Sequence, residues 1–332
     1  MHNKKLLFVY LIGIILLCIS ILLSITYGAK SVGLSHIMDG VLGRNLDDYS
    51  VNVVQARIPR TIFGIIAGAS LSISGVLMQS ITRNPIADPS ILGVNTGASL
   101  FIVIGIAFFN IQSKLAFIGL SLFGALLTAV FVYRLASLGY GGATPIKLAI
   151  SGAAVSTALS SIVSLVMMPD SSVMTAFRFW QIGSIGGVSM DDILLLLPFS
   201  VLAIATSRLL SGNLDTLVLS EETAKSLGLN VNRTRAIAAL CGVMLCATTT
   251  ALAGPISFIG LMVPHLLRAI IGSTHKSLII TSGLYGSSVL VISDVLGRIL
   301  GRPGELESGI MTALIGAPVF VLIIRKAKLQ SL

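Results

Sequence analysis

The residues best suited to chemistry in this sequence are few, and their spacing argues against catalysis. Three cysteines, Cys18, Cys241 and Cys246, all fall inside apolar runs. They form neither a disulfide framework nor a ligand cluster and read as small core hydrophobes. His265 has no Cys, Glu or second His at ligand spacing, so no metal centre is expected. The chain lacks a GxxxxGK[ST] stretch to cradle ATP phosphates, and no nucleophile is accompanied by a base and an orienting group. No catalytic residue and no cofactor follow from these residue types. What remains is ion-pair chemistry. Arg57 and Arg60 flank Pro59, placed as at a helix start, where they could grip carboxylates of an outer partner or equally anchor to lipid headgroups. Asp294 precedes Arg298 by one helical turn, and the pair could simply neutralise itself.

The elements that must position these charges are apolar. Of 332 residues, 55% are hydrophobic and only 11% charged, against roughly 25% charged in a soluble domain. With a mean hydropathy of +0.97, the chain reads as a polytopic membrane protein. Its net charge of +9 is scattered singly between apolar runs rather than clustered with aromatics, which excludes a nucleic-acid partner. Apolar windows give ten spans, at about 6–26, 61–80, 92–109, 115–135, 146–168, 192–210, 235–254, 256–271, 278–297 and 308–325. The fold class is therefore all-α, a single integral membrane domain over 1–332 lying in a lipid bilayer. The first run, Leu6–Leu23, is longer than the h-region of a signal peptide and is read as an uncleaved span. With the N-terminus inside, fourteen of the 22 basic residues and four of the 13 acids fall on the inner side. The positive-inside rule then puts both termini in the cytoplasm.

Leu34, Ile37, Met38, Val41 and Leu42 form the stripe of a helix lying on the outer surface. The second span, with Gly64, Gly68, Ser70, Ser72, Ser74 and Gly75, and the fifth, with Gly152, Ser156 and Ser160, carry the small residues that let helices approach closely in lipid. Both are expected inside the bundle. Trp180 reads as an interfacial anchor. No ionisable side chain falls near the middle of a span, which argues against a carrier coupled to protons or sodium.

The longest polar interruption is residues 211–235. Ser220 suits an N-cap, Glu221 and Glu222 suit the first turn, and Gly228 suits C′, which predicts one short helix over about 221–227. Ala224 and Leu227, with Leu217 and Leu219, would form a small apolar face that needs a partner, either an outside protein or its own bundle. At the inner end of the second span, the proline-broken run Gln79–Asp88 makes Asn84, Pro85 and Ile86 a candidate constriction, with the loop Gly139–Lys147 on the same side.

Several of these stretches resemble the FecCD-type permeases of bacterial ABC importers, which carry ferric siderophores, haem and vitamin B12. The resemblance rests on Arg57-Ile-Pro-Arg60, GASLSISGVLMQSITRNPIADPSILGVNTGAS from Gly68, NLDTLVLSEETAKSLG from Asn213, GPISFIGLMVPHLLR from Gly254, Asp294 with Arg298, and GIMTALIGAPVF from Gly309, and it covers essentially the whole chain. It implies ten helices per subunit in a bacterial cytoplasmic membrane. It also implies a second permease subunit, identical or paralogous, two ATP-binding subunits below and a substrate-binding protein above. Carried over by motif, Arg57, Arg60 and Arg298 resemble the arginines that receive the binding protein. Asn213, Leu217, Ser220, Glu221, Glu222, Ala224, Leu227 and Gly228 belong to a segment similar to the one that engages the ATPase, and Asn84-Pro85-Ile86 resembles an inner gate. Two departures stand out: Glu307 adds an acid in Glu305-Leu-Glu307-Ser-Gly309, and Ser220 replaces a frequent glycine. The function implied is a permease for a ferric siderophore or related chelate. The alternatives are a haem or vitamin B12 permease, an ion-coupled carrier, and a scaffold that docks a soluble partner without transporting.

Overall fold

The computed structural model describes residues 2–28, 48–139 and 142–329 together with isolated positions between 33 and 44. Among the described residues there are thirteen α-helices and no strand. They are α1 His2–Thr26, α2 Tyr49–Thr82, α3 Val94–Phe109, α4 Lys114–Ala136, α5 Pro145–Met167, α6 Ser171–Ile182, α7 Met190–Leu209, α8 Ser211–Leu219, α9 Glu221–Ser226, α10 Val231–Ala253, α11 Ile259–Ile271, α12 His275–Leu300 and α13 Ser308–Leu329. The predicted surface stripe at Leu34, Ile37, Met38 and Val41 lies outside the described residues, as do Tyr140, Gly141 and the side chains of the basic cluster at 325–328.

Helix α2 is the axis of the bundle, and its glycines are the reason. A Cβ on Gly68 would sit 2.7 Å from the Gly286 carbonyl carbon of α12, and one on Gly75 would overlap the Gly260 carbonyl of α11. Such backbone contact is what small residues allow where lipid gives no hydrophobic drive to associate. Cross-links follow from the same closeness: Ser74 Oγ donates to the Gly242 carbonyl at 2.6 Å and Ser287 Oγ to that of Ile65 at 2.6 Å. Pro59 lies ten residues into α2 rather than at its start, because Asp48 caps the helix at Tyr49 by accepting from Ser50 N at 2.7 Å.

Seven helices, α1, α2, α4, α5, α7, α10 and α12, are long and apolar enough to cross a membrane, and three shorter apolar ones, at Val94–Phe109, Ile259–Ile271 and Ser308–Leu322, coincide with the other expected spans. At 16 residues α3 rises only about 24 Å, less than a bilayer core. It is preceded by a 3-10 turn over Pro89–Leu92, capped by Asp88. Likewise α11 follows an irregular stretch, Gly254–Phe258, in which Phe258 has φ 71°. Non-helical backbone of this kind persists at depth only when protein covers it. Covering groups are present: the Ile91 carbonyl sits against Gly152, and the Phe258 ring against Gly316.

Two expectations fail. Helix α5 is peripheral: Gly152 is buried, but Ala153, Ala154, Thr157, Ser160, Ser161 and Ser164 are exposed. Cys18 is exposed on α1, while Cys241 and Cys246 are buried. Trp180 packs against Phe177 within α6, 5.9 Å between ring centroids, and is half-buried at the edge of the core.

Candidate functional site

The polar interruption folds as two helices, α8 and α9. The sequence signals only the second, since Ser211–Leu219 carries no cap of its own and leaves α7 through Leu210. Helix α9 begins where expected: Ser220 Oγ accepts from Thr223 N at 2.8 Å. It ends where expected too. Gly228 N bonds to the Lys225 carbonyl and Leu229 N to that of Ala224, both at 2.9 Å, with Gly228 at φ 82°. This is the paired hydrogen-bond pattern of a Schellman cap.

The predicted apolar face is divided. Leu217 and Ala224 point inward and pack with Leu229 and Val231. Leu219 and Leu227 point outward, 69% and 67% exposed. Asn213, Glu222 and Gly228 are also exposed. Three polar ties hold the pair of helices to the bundle. Arg235 of α10, itself buried, reaches Glu221 at 2.5 Å and the Ala143 carbonyl at 2.8 Å. Its hydrogen bond and charge hold the Glu221 carboxyl below the usual range. Arg83, left-handed at the end of α2, donates to the Leu217 carbonyl at 2.8 Å. Asp215 accepts from the backbone N of His275 at 2.8 Å and faces its Nδ1 at 2.7 Å.

At the same end, Asn84, Pro85 and Ile86 form a turn in which Asn84 Oδ1 accepts from Ile86 N at 3.1 Å. Pro85 and Ile86 are exposed. His265 Nδ1 lies 3.3 Å from the Pro85 carbonyl, and no group of three or more metal-ligating side chains occurs among the described residues. Deeper in, Arg268 Nη1 donates to Gln79 Oε1 at 2.8 Å, and Gln79 Nε2 donates to the Gly260 and Leu261 carbonyls of α11.

At the opposite end, two of the three sequence-selected arginines, Arg60 and Arg298, converge on one carboxylate. Arg60 grips Asp294 through Nε at 3.0 Å and Nη2 at 2.8 Å, and Nη1 holds Glu305 at 2.6 Å. Arg298 Nε lies 3.0 Å from Asp294 Oδ2, the oxygen that Arg60 Nε also holds. Asp294 and Arg298 are each only 1% exposed. The remaining Arg298 donors take the Ser24 and Tyr27 carbonyls and Ser24 Oγ, and Arg57 takes the carbonyls of Ile25 and Thr26. Glu305, the acid shared with the family pattern, answers Arg60. Nothing in the sequence signalled that α1 carbonyls would absorb Arg57 and Arg298.

A broken-helix membrane bundle with a short helix pair braced at one end and an arginine knot at the other is the arrangement of a transport permease, as the comparisons with known proteins show. A family model described as the FecCD transport family matches residues 16–326. The chain belongs to that family. Among curated relatives, a probable siderophore transport system permease of Bacillus subtilis (YfiZ) is 37% identical over 319 residues, covering 94% of this chain and 96% of that protein. The ferric enterobactin transport system permease FepD of Escherichia coli is 37% identical over 313 residues, covering 94% and 93%. A solved structure described as an inward-facing ABC transporter of metal-chelate type superposes with a TM-score of 0.83 at 28% identity, covering 98% of this chain and 99% of that one.

Proposed function

We propose that this chain is the membrane permease of a binding-protein-dependent ABC importer for a ferric siderophore or related iron chelate, spanning the bacterial cytoplasmic membrane ten times with both termini inside. The observation that carries the reading is the α8–α9 knob, its second helix capped at both ends, tied to three bundle helices and presenting exposed Leu219 and Leu227. An apolar surface on a braced support suits docking to a partner that delivers mechanical work. Two ATP-binding subunits are that partner, and a second permease subunit completes the pathway. ATP binding draws the knobs together and moves the Asn84–Ile86 turn, giving alternating access imposed from outside the bilayer.

The extracytoplasmic binding protein docks at the arginine knot. Arg57 and Arg298 face inward, so Arg60 and half-exposed Glu305 offer the exposed edge of that surface. The family relationship and the matched ferric relatives support the iron-chelate cargo. The test is reconstitution of the chain with and without its ATP-binding subunits. Uptake of iron chelate into proteoliposomes should require both ATP and those subunits; uptake driven by an ion gradient alone would establish a secondary carrier instead.

A further inference from the structure

One polar chain runs from the knob into the body of the bundle, and its parts come from three helices distant in sequence. Asp215 lies in α8, His275 opens α12, and Ser80 sits two residues before the end of α2. Asp215 Oδ1 receives both the backbone N–H and Nδ1 of His275, and His275 Nε2 lies 2.5 Å from Ser80 Oγ. His275 is 1% exposed and Ser80 5%, while Asp215 stands at the surface. Asp215 thus caps a transmembrane helix from outside it, because Thr274 provides no side-chain cap of its own. The charged groups facing His275 are Asp215 from α8 and Arg268 from α11.

The surroundings allow this joint to move. A cavity of about 260 Å³ lies beside it, lined by Ser80, Arg83, Pro85, Val218, Arg268 and His275, among others. Pro85 belongs to the turn that begins four residues after Ser80, and Val218 belongs to α8. Ser80 Oγ is also 2.6 Å from the Val76 carbonyl, so its hydroxyl has a second acceptor if the histidine withdraws. A close-packed apolar contact would transmit displacement only by collision. A directional hydrogen-bonded chain beside free space pulls as well as pushes.

We propose that Asp215, His275 and Ser80 are positioning residues that carry displacement of the α8–α9 knob to the inner end of α2 and so to the Asn84–Ile86 turn. The inference rests on the proposed ATPase-driven function and deepens it. It predicts that breaking the chain uncouples hydrolysis from gate movement without disturbing assembly.

The experiment uses the full complex with its ATP-binding subunits in nanodiscs, with Cys18→Ser and a bimane label on Ile86→Cys as reporter in every sample. In the parent, ATP with orthovanadate should shift bimane emission. In Ser80→Ala and in His275→Asn, which keeps a donor toward Asp215 but cannot reach Ser80, the shift should fall at least about fivefold while ATP hydrolysis stays within about twofold. Ser80→Thr, which keeps the hydroxyl, should restore the shift. The double variant should be no worse than either single one, as expected for links in one chain. A parent-like emission shift in Ser80→Ala and His275→Asn would overturn the proposal. So would joint loss of hydrolysis and emission shift that Ser80→Thr fails to rescue, since that marks scaffolding alone. Absence of any nucleotide response in the parent would instead count against the ATPase-driven reading.

Discussion

At the scale of single residues, Asp294 carries the greatest electrostatic burden. Two guanidiniums, Arg60 and Arg298, share its carboxylate, and both it and Arg298 are sealed from solvent. A buried pair is weak evidence for net stability, but removing one partner strands charge where it cannot be hydrated. Asp294→Asn should therefore cost about 3–5 kcal/mol, read as a large drop in the thermal midpoint of the purified permease. Glu305 touches the same Arg60 from a side chain 41% exposed. Glu305→Gln should cost under about 1 kcal/mol. Equal midpoints for the two variants would mean that the knot is hydrated and not a buried anchor. The short-range part of this knot, Asp294 with Arg298, was legible as an i,i+4 pair. The pairing of Arg60 with Asp294 joins residues 234 apart and has no local signal.

At the scale of elements, legibility follows the same rule. Helix α9 could be read because caps are local: Ser220 and Gly228 announce its ends whatever the rest of the chain does. Helix α8 could not, because its start is continuous with α7 and its apolar residues are split between inward and outward sides. The small-residue pattern succeeded for α2 and failed for α5, although the motif is the same. Gly152 does receive the Ile91 carbonyl and Ser156 takes a 3.3 Å contact from Thr96, but Ser160 is exposed, and it is Val163 that returns to the core beside Ile102, Val103 and Phe177. Small residues permit close approach, but whether a neighbour is there to approach depends on topology. The division of the knob's apolar face yields a contrast that composition alone would not suggest. Leu227→Asp should leave the permease as stable as the parent and weaken ATP-binding-subunit association, measured by co-purification. Ala224→Asp puts a carboxylate into the fully buried cluster with Leu217 and Val231. That variant should lower the permease's own thermal midpoint, as an unpaired buried charge does. If Leu227→Asp destabilised the isolated permease as much as Ala224→Asp, the outward orientation of Leu227 would be wrong.

At the scale of the whole molecule, the exposed side of α5 is the feature a single chain leaves unexplained. Thr157, Ser161 and Ser164 donate to carbonyls one turn back at 2.9–3.0 Å, which removes the penalty for facing lipid, so hydroxyls alone decide little. Size decides more. Helix α1, equally peripheral, exposes large side chains such as Leu7, Phe8, Leu11, Ile15 and Leu22 along its length, whereas α5 exposes large ones mainly toward its ends, at Ile146, Ile150 and Leu165, and shows Ala153, Ala154, Thr157, Ser160 and Ser161 between them. A face of short side chains fills lipid contacts poorly and leaves room for a passage between two subunits, consistent with the importer reading. Cargo moving along such a face would meet few strong contacts, which would leave selection to the binding protein. Thr157→Cys, in a chain carrying Cys18→Ser, should then react with a membrane-impermeant thiol reagent in the assembled complex, since only a hydrated thiol ionises readily. The reaction rate should change when ATP and orthovanadate are added, as the passage opens toward one side and closes toward the other. A thiol at position 157 that stays inert in every nucleotide state would place α5 against lipid or a dry interface and remove it from the pathway.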